Sequence, residues 1–234
     1  GIEHRALSDG TACVPVDFVD AITAAGFLPA PTHELVRNIM VSPLSGRLGG
    51  RADLFPVARQ LDALLCADPA FAGLSARFLF VLDDGRGDLV DRYLDLGAMA
   101  VDADSAQVRV GSDHWGPVVP VADLPETLLS LARRFLDVRS PGDQAEWHVD
   151  ELAGGGAALL NLNHARDLRT QVTSLRTPLG SLTQDDGRTA EHVGVPDGVL
   201  THDLSSTILA TARRSVIVTP WRSVLLPDLG DWAP

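Results

Sequence analysis

The sequence contains no lysine, and all 19 of its basic residues are arginines. A Schiff-base lysine is therefore excluded, and any anion site must use guanidinium groups, which bind carboxylates through paired hydrogen bonds. The 31 acidic residues give a formal net charge of −12 at pH 7. Because such a charge repels nucleic acid and anionic membrane surfaces, neither is expected as a partner.

Cysteine is nearly as scarce, with only Cys13 and Cys66 in 234 residues. Two thiols are too few for a disulfide framework, a zinc finger or the four thiolates of a 4Fe–4S cluster. The seven histidines show no H-x-x-x-H spacing. No metal site formed by this chain alone is expected.

Long apolar runs are also missing, since none reaches the roughly 18 residues of a membrane-spanning helix. Residues 1–5 lack the basic-then-apolar pattern of a signal peptide. With 45% hydrophobic residues, the composition is that of a globular protein. We therefore expect a cytoplasmic protein of one large domain or two modest ones.

The hydrophobic periodicity predicts helices that alternate with strands, which indicates an α+β fold with α/β character. The segment that follows Pro178-Leu179-Gly180, up to Val193, is rich in turn-forming residues, and no strand is assigned there. Two stretches, 16–42 and 204–226, each run from a helix through basic residues to a strand and a proline. They are either copies of one supersecondary unit or two instances of a common one. Helices are predicted at 16–27, 53–67, 124–138 and 204–213, and strands at 38–42, 77–82, 108–110, 215–219 and 223–226.

Polar residues flank several predicted strands. Ligand sites of α/β proteins lie at strand ends, so this pattern predicts a polyanion pocket, with ordinary surface arginines as the alternative. Trp221 could offer a flat surface to a conjugated ligand or be a structural tryptophan. Asp83-Asp84-Gly85 is typical of a turn, and a cation or acid–base pair is the alternative. No nucleophile elbow, phosphate loop or dinucleotide motif is present, and no catalytic residue is assigned. The residues flanking the strands are Arg37, Asn38, Arg47, Arg51, Arg77 and Arg222.

Four blocks of the sequence together resemble precorrin-3B synthase, a family related to the nitrite and sulfite reductases. The blocks follow one another in the family's order and spacing over roughly residues 16–227. They are V-R-N-I at 36–39, S-P-L-S-G at 42–46, R-F-L-F-V-L-D-D-G at 77–85, and V-T-P-W-R-S-V-L-L-P at 218–227.

The resemblance implies a nitrite/sulfite reductase-like fold, in which two ferredoxin-like half-domain segments flank a middle α/β domain. Residues 1–50 would form the first half-domain, incomplete at its N-terminus, and 51–150 the middle domain. A linker over 151–174 would lead to the second half-domain at 175–234. The family's cluster-binding domain would be absent, so a partial chain is expected.

The resemblance also implies an activity. The family is an oxygen-dependent oxidoreductase of cobalamin biosynthesis, a monooxygenase that converts the tetrapyrrole precorrin-3A to precorrin-3B. It uses iron and a 4Fe–4S cluster, whose cysteines follow the T-P-W-R block in the family and are missing here. The isolated chain is therefore expected to be inactive, with an electron donor and a separate cluster-bearing chain as partners.

By the same resemblance, seven residues would hold the tetrapyrrole and its carboxylates. Leu79 occupies the second position of a basic pair with which the reductases bind their oxyanion, which argues against plain oxyanion reduction. Two alternatives stay open: a segment of a sirohaem-dependent nitrite or sulfite reductase, and a non-catalytic tetrapyrrole-binding remnant or split subunit. The seven residues are Arg37, Asn38, Arg47, Arg77, Thr219, Trp221 and Arg222.

Overall fold

Four helices and nine strands form the framework described by a computed structural model, which covers residues 16–25, 28, 30–162, 164–213 and 215–230. Cys13 and the expected end of the first helix at 26–27 lie outside these residues. In chain order, the elements are α1 (Val16–Ala24), β1 (Ile39–Val41), α2 (Phe55–Ala67), β2 (Phe80–Asp83), β3 (Leu96–Ala100), β4 (Ser105–Val110), β5 (His114–Pro120), α3 (Leu124–Val138), β6 (Gly180–Thr183), β7 (Thr189–Gly194), α4 (His202–Thr211), β8 (Ile217–Thr219) and β9 (Ser223–Leu229).

The first sheet has the strand order β1-β2-β3-β4-β5. β1, β2 and β3 are parallel, and β4 and β5 continue antiparallel. Alternation along β2 sends Phe80 and Leu82 into the main core with α2 and α3, and Val81 to the other face. Phe80 and Phe135 are fully buried there. Each such side chain contributes roughly 1.5–3 kcal/mol by its removal from water.

Two predicted boundaries in this region need correction. α2 begins at Phe55 and not at 53, because the Asp53 carboxylate accepts the Phe55 N–H at 3.0 Å and ends the preceding loop. β2 begins at Phe80 and not at 77, because the Phe78 N–H donates to the Ser75 carbonyl in a turn. The next N–H group, that of Leu79, donates to the buried carboxylate of Asp95.

Asp95 is fully buried and joins two distant segments. It accepts hydrogen bonds from the backbone N–H of Leu79 and of Val149, each at 2.8 Å. The Tyr93 hydroxyl at 3.2 Å and the His148 ring at 3.3 Å complete its shell. Burial raises the pKa of Asp95, so the surrounding donors are needed to keep it ionised.

The second sheet is antiparallel, with the strand order β6-β7-β9-β8. β6 and β7 form a hairpin in the segment that the sequence marks only as turn-rich. The turn residues cluster at its tip, where Gly187 adopts φ 82°. α4 begins after Thr201, whose side chain accepts the Leu204 N–H at 3.3 Å. It packs through Ile208 onto the sheet.

The two sheets touch through the loop that follows β1. Leu44 packs against Ala190 and Leu225 of the second sheet. Trp221 packs against the cluster of Val81 on β2 with Leu89 and Leu94 in the loop that follows β2. No helix among the described residues is long and apolar enough to cross a membrane. The domain boundaries proposed from the sequence stay a prediction.

Candidate functional site

A groove of about 340 Å³ lies where the two sheets meet edge to edge. β1 is the outer strand of the first sheet and β8 the outer strand of the second. Their residues line the groove together with Phe55 and Leu79. The lining carries no charged side chain and is mostly apolar. It consists of Asn38, Ile39, Met40, Val41, Phe55, Leu79, Ile217, Val218, Thr219 and Pro220.

Asn38 enters this groove from the start of β1. Its side-chain nitrogen donates to the carbonyls of Ala76 at 2.9 Å and Leu35 at 3.1 Å, which fixes the amide at the mouth of the strand. Both donors of the amide point to backbone, so its carbonyl oxygen is the atom left for a ligand. Asn38 thus lines the groove, and its role as a binding residue stays a prediction.

Thr219 enters the groove from the other side and begins a buried chain of hydrogen bonds. Its hydroxyl lies 2.5 Å from that of Ser223, which lies 2.7 Å from His192 Nε2. His192 Nδ1 lies 2.8 Å from the Pro178 carbonyl, which can only accept. In the neutral ring Nδ1 therefore carries the proton, and Nε2 accepts from Ser223. Sequence analysis missed Ser223 and His192. The spacing of Thr219 and Ser223 across one tight turn could have indicated the first, but nothing local indicates the second.

Two of the predicted arginines are held by carboxylates. Arg37 donates to both oxygens of Asp62 on α2, at 2.6 and 2.7 Å. Arg47 lies 3.5 Å from Asp228, and its guanidinium carbon lies 5.5 Å from the centre of the Phe55 ring. Both guanidinium groups therefore have partners outside the groove, and a ligand would have to compete for them.

Arg77 and Arg222 lie two residues before Leu79 and two residues after Pro220 in the sequence, outside the lining of the groove, and both are exposed. Neither forms an ion pair with any carboxylate among the described residues. The Arg77 guanidinium carbon lies 5.6 Å from the centre of the Trp147 ring. Arg222 has φ 55°, a left-handed conformation that costs roughly 1–2 kcal/mol for a residue with a side chain.

Trp221 lies between the sheets and is half-buried. Its side chain packs against the buried cluster of Val81, Leu89 and Leu94, and its backbone N–H donates to the Thr219 hydroxyl at 3.2 Å. Its neighbour Pro220 accepts a hydrogen bond from Arg92 at 3.2 Å. Trp221 thus supports the floor of the groove through packing, and the polar lining atoms come from Asn38 and Thr219.

Asp83-Asp84-Gly85 forms a turn at the end of β2, as its sequence predicts, and Asp88 lies beside it. Asp83 accepts the N–H groups of Gly85, Gly87 and Leu89, and Asp84 forms an ion pair with Arg86 at 2.5 Å. Most of these carboxylate oxygens already accept hydrogen bonds, and the Arg86 guanidinium lies where a metal cation would have to bind. We assign no metal to this cluster.

The cysteines do not fit a 4Fe–4S cluster. Such a cluster takes four thiolates, and the sequence has two cysteines. Cys66 is free and half-buried on α2, and burial raises the pKa of its thiol, which disfavours the thiolate. This chain's own residues therefore do not hold the cluster that the sequence resemblance implies.

Comparisons with known proteins define the fold of this chain. No protein-family model matches the sequence, and no curated protein matches it. Comparison with solved structures shows that the chain has the nitrite/sulfite reductase-like α+β fold, which the sequence motifs predict.

The solved structure that carries this comparison is the NirA protein of Mycobacterium tuberculosis. The TM-score is 0.65 with 16% sequence identity, over 82% of this chain and 40% of the NirA chain. At this identity the likeness concerns the fold. The chain spans less than half of the length of that neighbour.

Proposed function

We propose that this chain forms part of a tetrapyrrole-binding oxidoreductase and holds an edge of the macrocycle in the groove between β1 and β8. The observation that carries this proposal is the meeting of Asn38 and Thr219, from blocks about 180 residues apart, at one apolar groove. Ligand pockets commonly combine such apolar walls with a few placed polar atoms.

The charges around the groove support the same ligand class. The groove itself is uncharged, whereas Arg77 and Arg222, which are close in sequence to the lining residues Leu79 and Pro220, are exposed and free of ion pairs within the described residues. A conjugated ring edge would lie against Leu79 and Phe55, with its carboxylate arms directed outward to the two guanidinium groups. A volume of about 340 Å³ is at the small end for ligand pockets, so it would take an edge of the macrocycle.

Two activities are compatible with this ligand. A sirohaem-dependent nitrite or sulfite reductase is supported better by the structural comparison, because the neighbour shares the reductase-like fold. Precorrin-3B synthase is supported by the R-N-I and T-P-W-R blocks. It is also supported by Leu79, which stands at the second position of the basic pair with which the reductases bind their oxyanion. A non-catalytic tetrapyrrole-binding subunit would use the same surface.

For sirohaem, Arg77 and Arg222 would hold the carboxylate arms and Asn38 would meet the ring edge. When bound, sirohaem supplies an iron for electron transfer to a small oxyanion. No step is assigned to a 4Fe–4S cluster, since the chain lacks its ligands. A separate cluster-bearing chain and an electron donor are the partners that either activity would require.

The test is a titration of the purified chain with sirohydrochlorin and with sirohaem, followed by the absorbance of the macrocycle. We expect Arg77→Gln and Arg222→Gln each to weaken binding about tenfold, since each removes one charged hydrogen bond. Arg139→Gln, at the end of α3, is the matched control and should have no effect. Tighter binding of sirohaem than of sirohydrochlorin supports the reductase, and the reverse order supports precorrin-3B synthase. Equal weakening by all three variants, or no binding of either ligand, would contradict the proposal.

A further inference from the structure

Two further arginines meet at the first sheet and do not line the groove: Arg109 on β4 and Arg166 from the segment that follows α3. Arg109 on β4 and Trp115 on β5 are direct cross-strand partners. The Arg109 guanidinium carbon lies 5.3 Å from the centre of the Trp115 ring. Cross-strand pairs share one face of a sheet, so this contact is fixed by the register of β4 and β5.

Gln107, near Arg109 on β4, brings a second arginine to the same ring. Its side chain donates to the Ala165 carbonyl at 2.8 Å and accepts the Asp167 N–H at 2.7 Å. These two bonds hold the backbone on both sides of Arg166. The Arg166 guanidinium carbon consequently lies 4.9 Å from the centre of the Trp115 ring.

Neither guanidinium has an anionic partner in the part of the chain that the structure describes. Arg109 donates only to the Val90 carbonyl, at a long 3.5 Å. Arg166 donates to the hydroxyl and the carbonyl of Thr170, at 3.0 and 2.5 Å. Asp83 attracts Arg109 from further away, but backbone N–H groups already hold its oxygens. Two like charges thus share one aromatic ring without neutralisation.

Arg109 is also partly removed from water. Burial and the nearby Arg166 charge lower the pKa of its guanidinium. A cation in such a place is unfavourable unless an anion joins it. An open cleft of about 560 Å³ is lined by Gln107, His164 and Arg166 among others, so a small molecule in the cleft reaches the Arg166 guanidinium, whereas Arg109 and Trp115 lie behind its lining. The one carboxylate in its lining, Asp167, is bound by Arg169 at 2.9 Å.

We infer that Arg109, Trp115 and Arg166 form a binding site for a carboxylate on a planar, conjugated small molecule. The carboxylate would accept hydrogen bonds from the free N–H groups of the two guanidinium groups, and the planar body would lie against the exposed Arg166 guanidinium. This site is separate from the groove and does not depend on the proposed function, because a ligand without a tetrapyrrole ring would suffice.

The test is calorimetric titration of the full chain with isophthalate at low ionic strength, where charge interactions are least screened. We expect saturable millimolar binding, weakened at least about fivefold by Arg109→Gln and by Arg166→Gln. Arg188→Gln is the matched control, since Arg188 is paired with Asp186 in the β6–β7 turn. Circular dichroism checks that each variant is folded. If the Arg109→Gln variant fails to fold, the Arg166→Gln variant still tests the site, because the Arg166 side chain is exposed.

Two further titrations test the inference. Arg222→Gln should leave isophthalate binding unchanged, which separates this site from the groove. Sulfate should bind at least about tenfold more weakly than isophthalate, because it offers no planar body. The inference is overturned if wild type shows no saturable binding up to about 20 mM, if Arg166→Gln binds as wild type does, or if sulfate matches isophthalate.

Discussion

Asp88 makes the stability of this protein depend on pH in a direction that can be measured. The carboxyl is almost fully buried, at 4% exposure, and burial raises its pKa from the ordinary 3.8 to about 7. Ser42 donates to one of its oxygens at 2.6 Å, and the other oxygen has no hydrogen-bond partner among the described residues. Arg86 Nε is 3.9 Å from that second oxygen.

The sign follows from proton binding in the two states. Between about pH 4 and pH 7 the unfolded chain loses this proton while the folded chain keeps it. The free energy of unfolding must therefore fall as the pH rises through this range. The difference between 3.8 and about 7 corresponds to a loss of up to about 4 kcal/mol, at 1.36 kcal/mol per pKa unit.

The Asp88→Asn substitution tests this reasoning because its amide mimics the protonated carboxyl and can still accept from Ser42. Urea unfolding followed by tryptophan fluorescence should give a variant that gains stability relative to wild type as the pH rises from about 4.5 to 8. A constant offset between the two proteins does not affect this slope. Contributions of Asp83 and Asp95, whose pKa values burial also raises, are shared by both proteins.

Asp137→Asn, an exposed position near the end of α3, is the control and should follow wild type at every pH. Parallel pH profiles for wild type and Asp88→Asn would refute the assignment of a raised pKa to Asp88. A variant that loses relative stability as the pH rises would refute its sign.

Three further substitutions test other parts of the framework. Asp95→Asn replaces an acceptor of four hydrogen bonds and should lower the free energy of unfolding in urea by about 2–4 kcal/mol; a loss below about 1 kcal/mol would contradict its role. His192→Phe removes the hydrogen bonds to the buried Ser223 hydroxyl and to the exposed Pro178 carbonyl and should cost about 1–2 kcal/mol, whereas exposed His202→Phe should cost almost nothing; similar melting temperatures for both variants would count against the network. Gly97→Ala places a methyl group against the Val81 backbone between β2 and β3 and should cost more than about 2 kcal/mol, with a clear loss of soluble yield. Wild-type melting behaviour would show that the sheet accommodates the methyl group.

Local patterns were sufficient for most of the elements. The apolar spacing along 124–138 predicts the bounds of α3 as observed, because one face must meet the core. The hairpin of β6 and β7 was missed, since its strands are half-exposed and short, and glycine and aspartate in its turn dominate the local composition. β3 and β5 were also missed, because their pairing with β4 comes from register and not from strong periodicity.

The site shows a similar division. Asn38 and Thr219 were predicted from sequence blocks and lie at one groove, while their role toward a ligand stays a prediction. Arg37 directly precedes Asn38, yet its guanidinium binds Asp62, and no pattern in the sequence could reveal that partner. The Arg109–Trp115 contact depends on the pairing of two strands, one of which sequence analysis did not find.

The sequence by itself determined the chemistry available to this protein: guanidinium groups as its cationic ligands, too few thiols for a cluster, and the motifs of a reductase-like fold. These are properties of composition and local order. The tertiary structure alone decided which arginines are already neutralised and which remain available. That distinction depends on distances between residues far apart in the chain, and Coulombic and hydrogen-bond energies follow those distances.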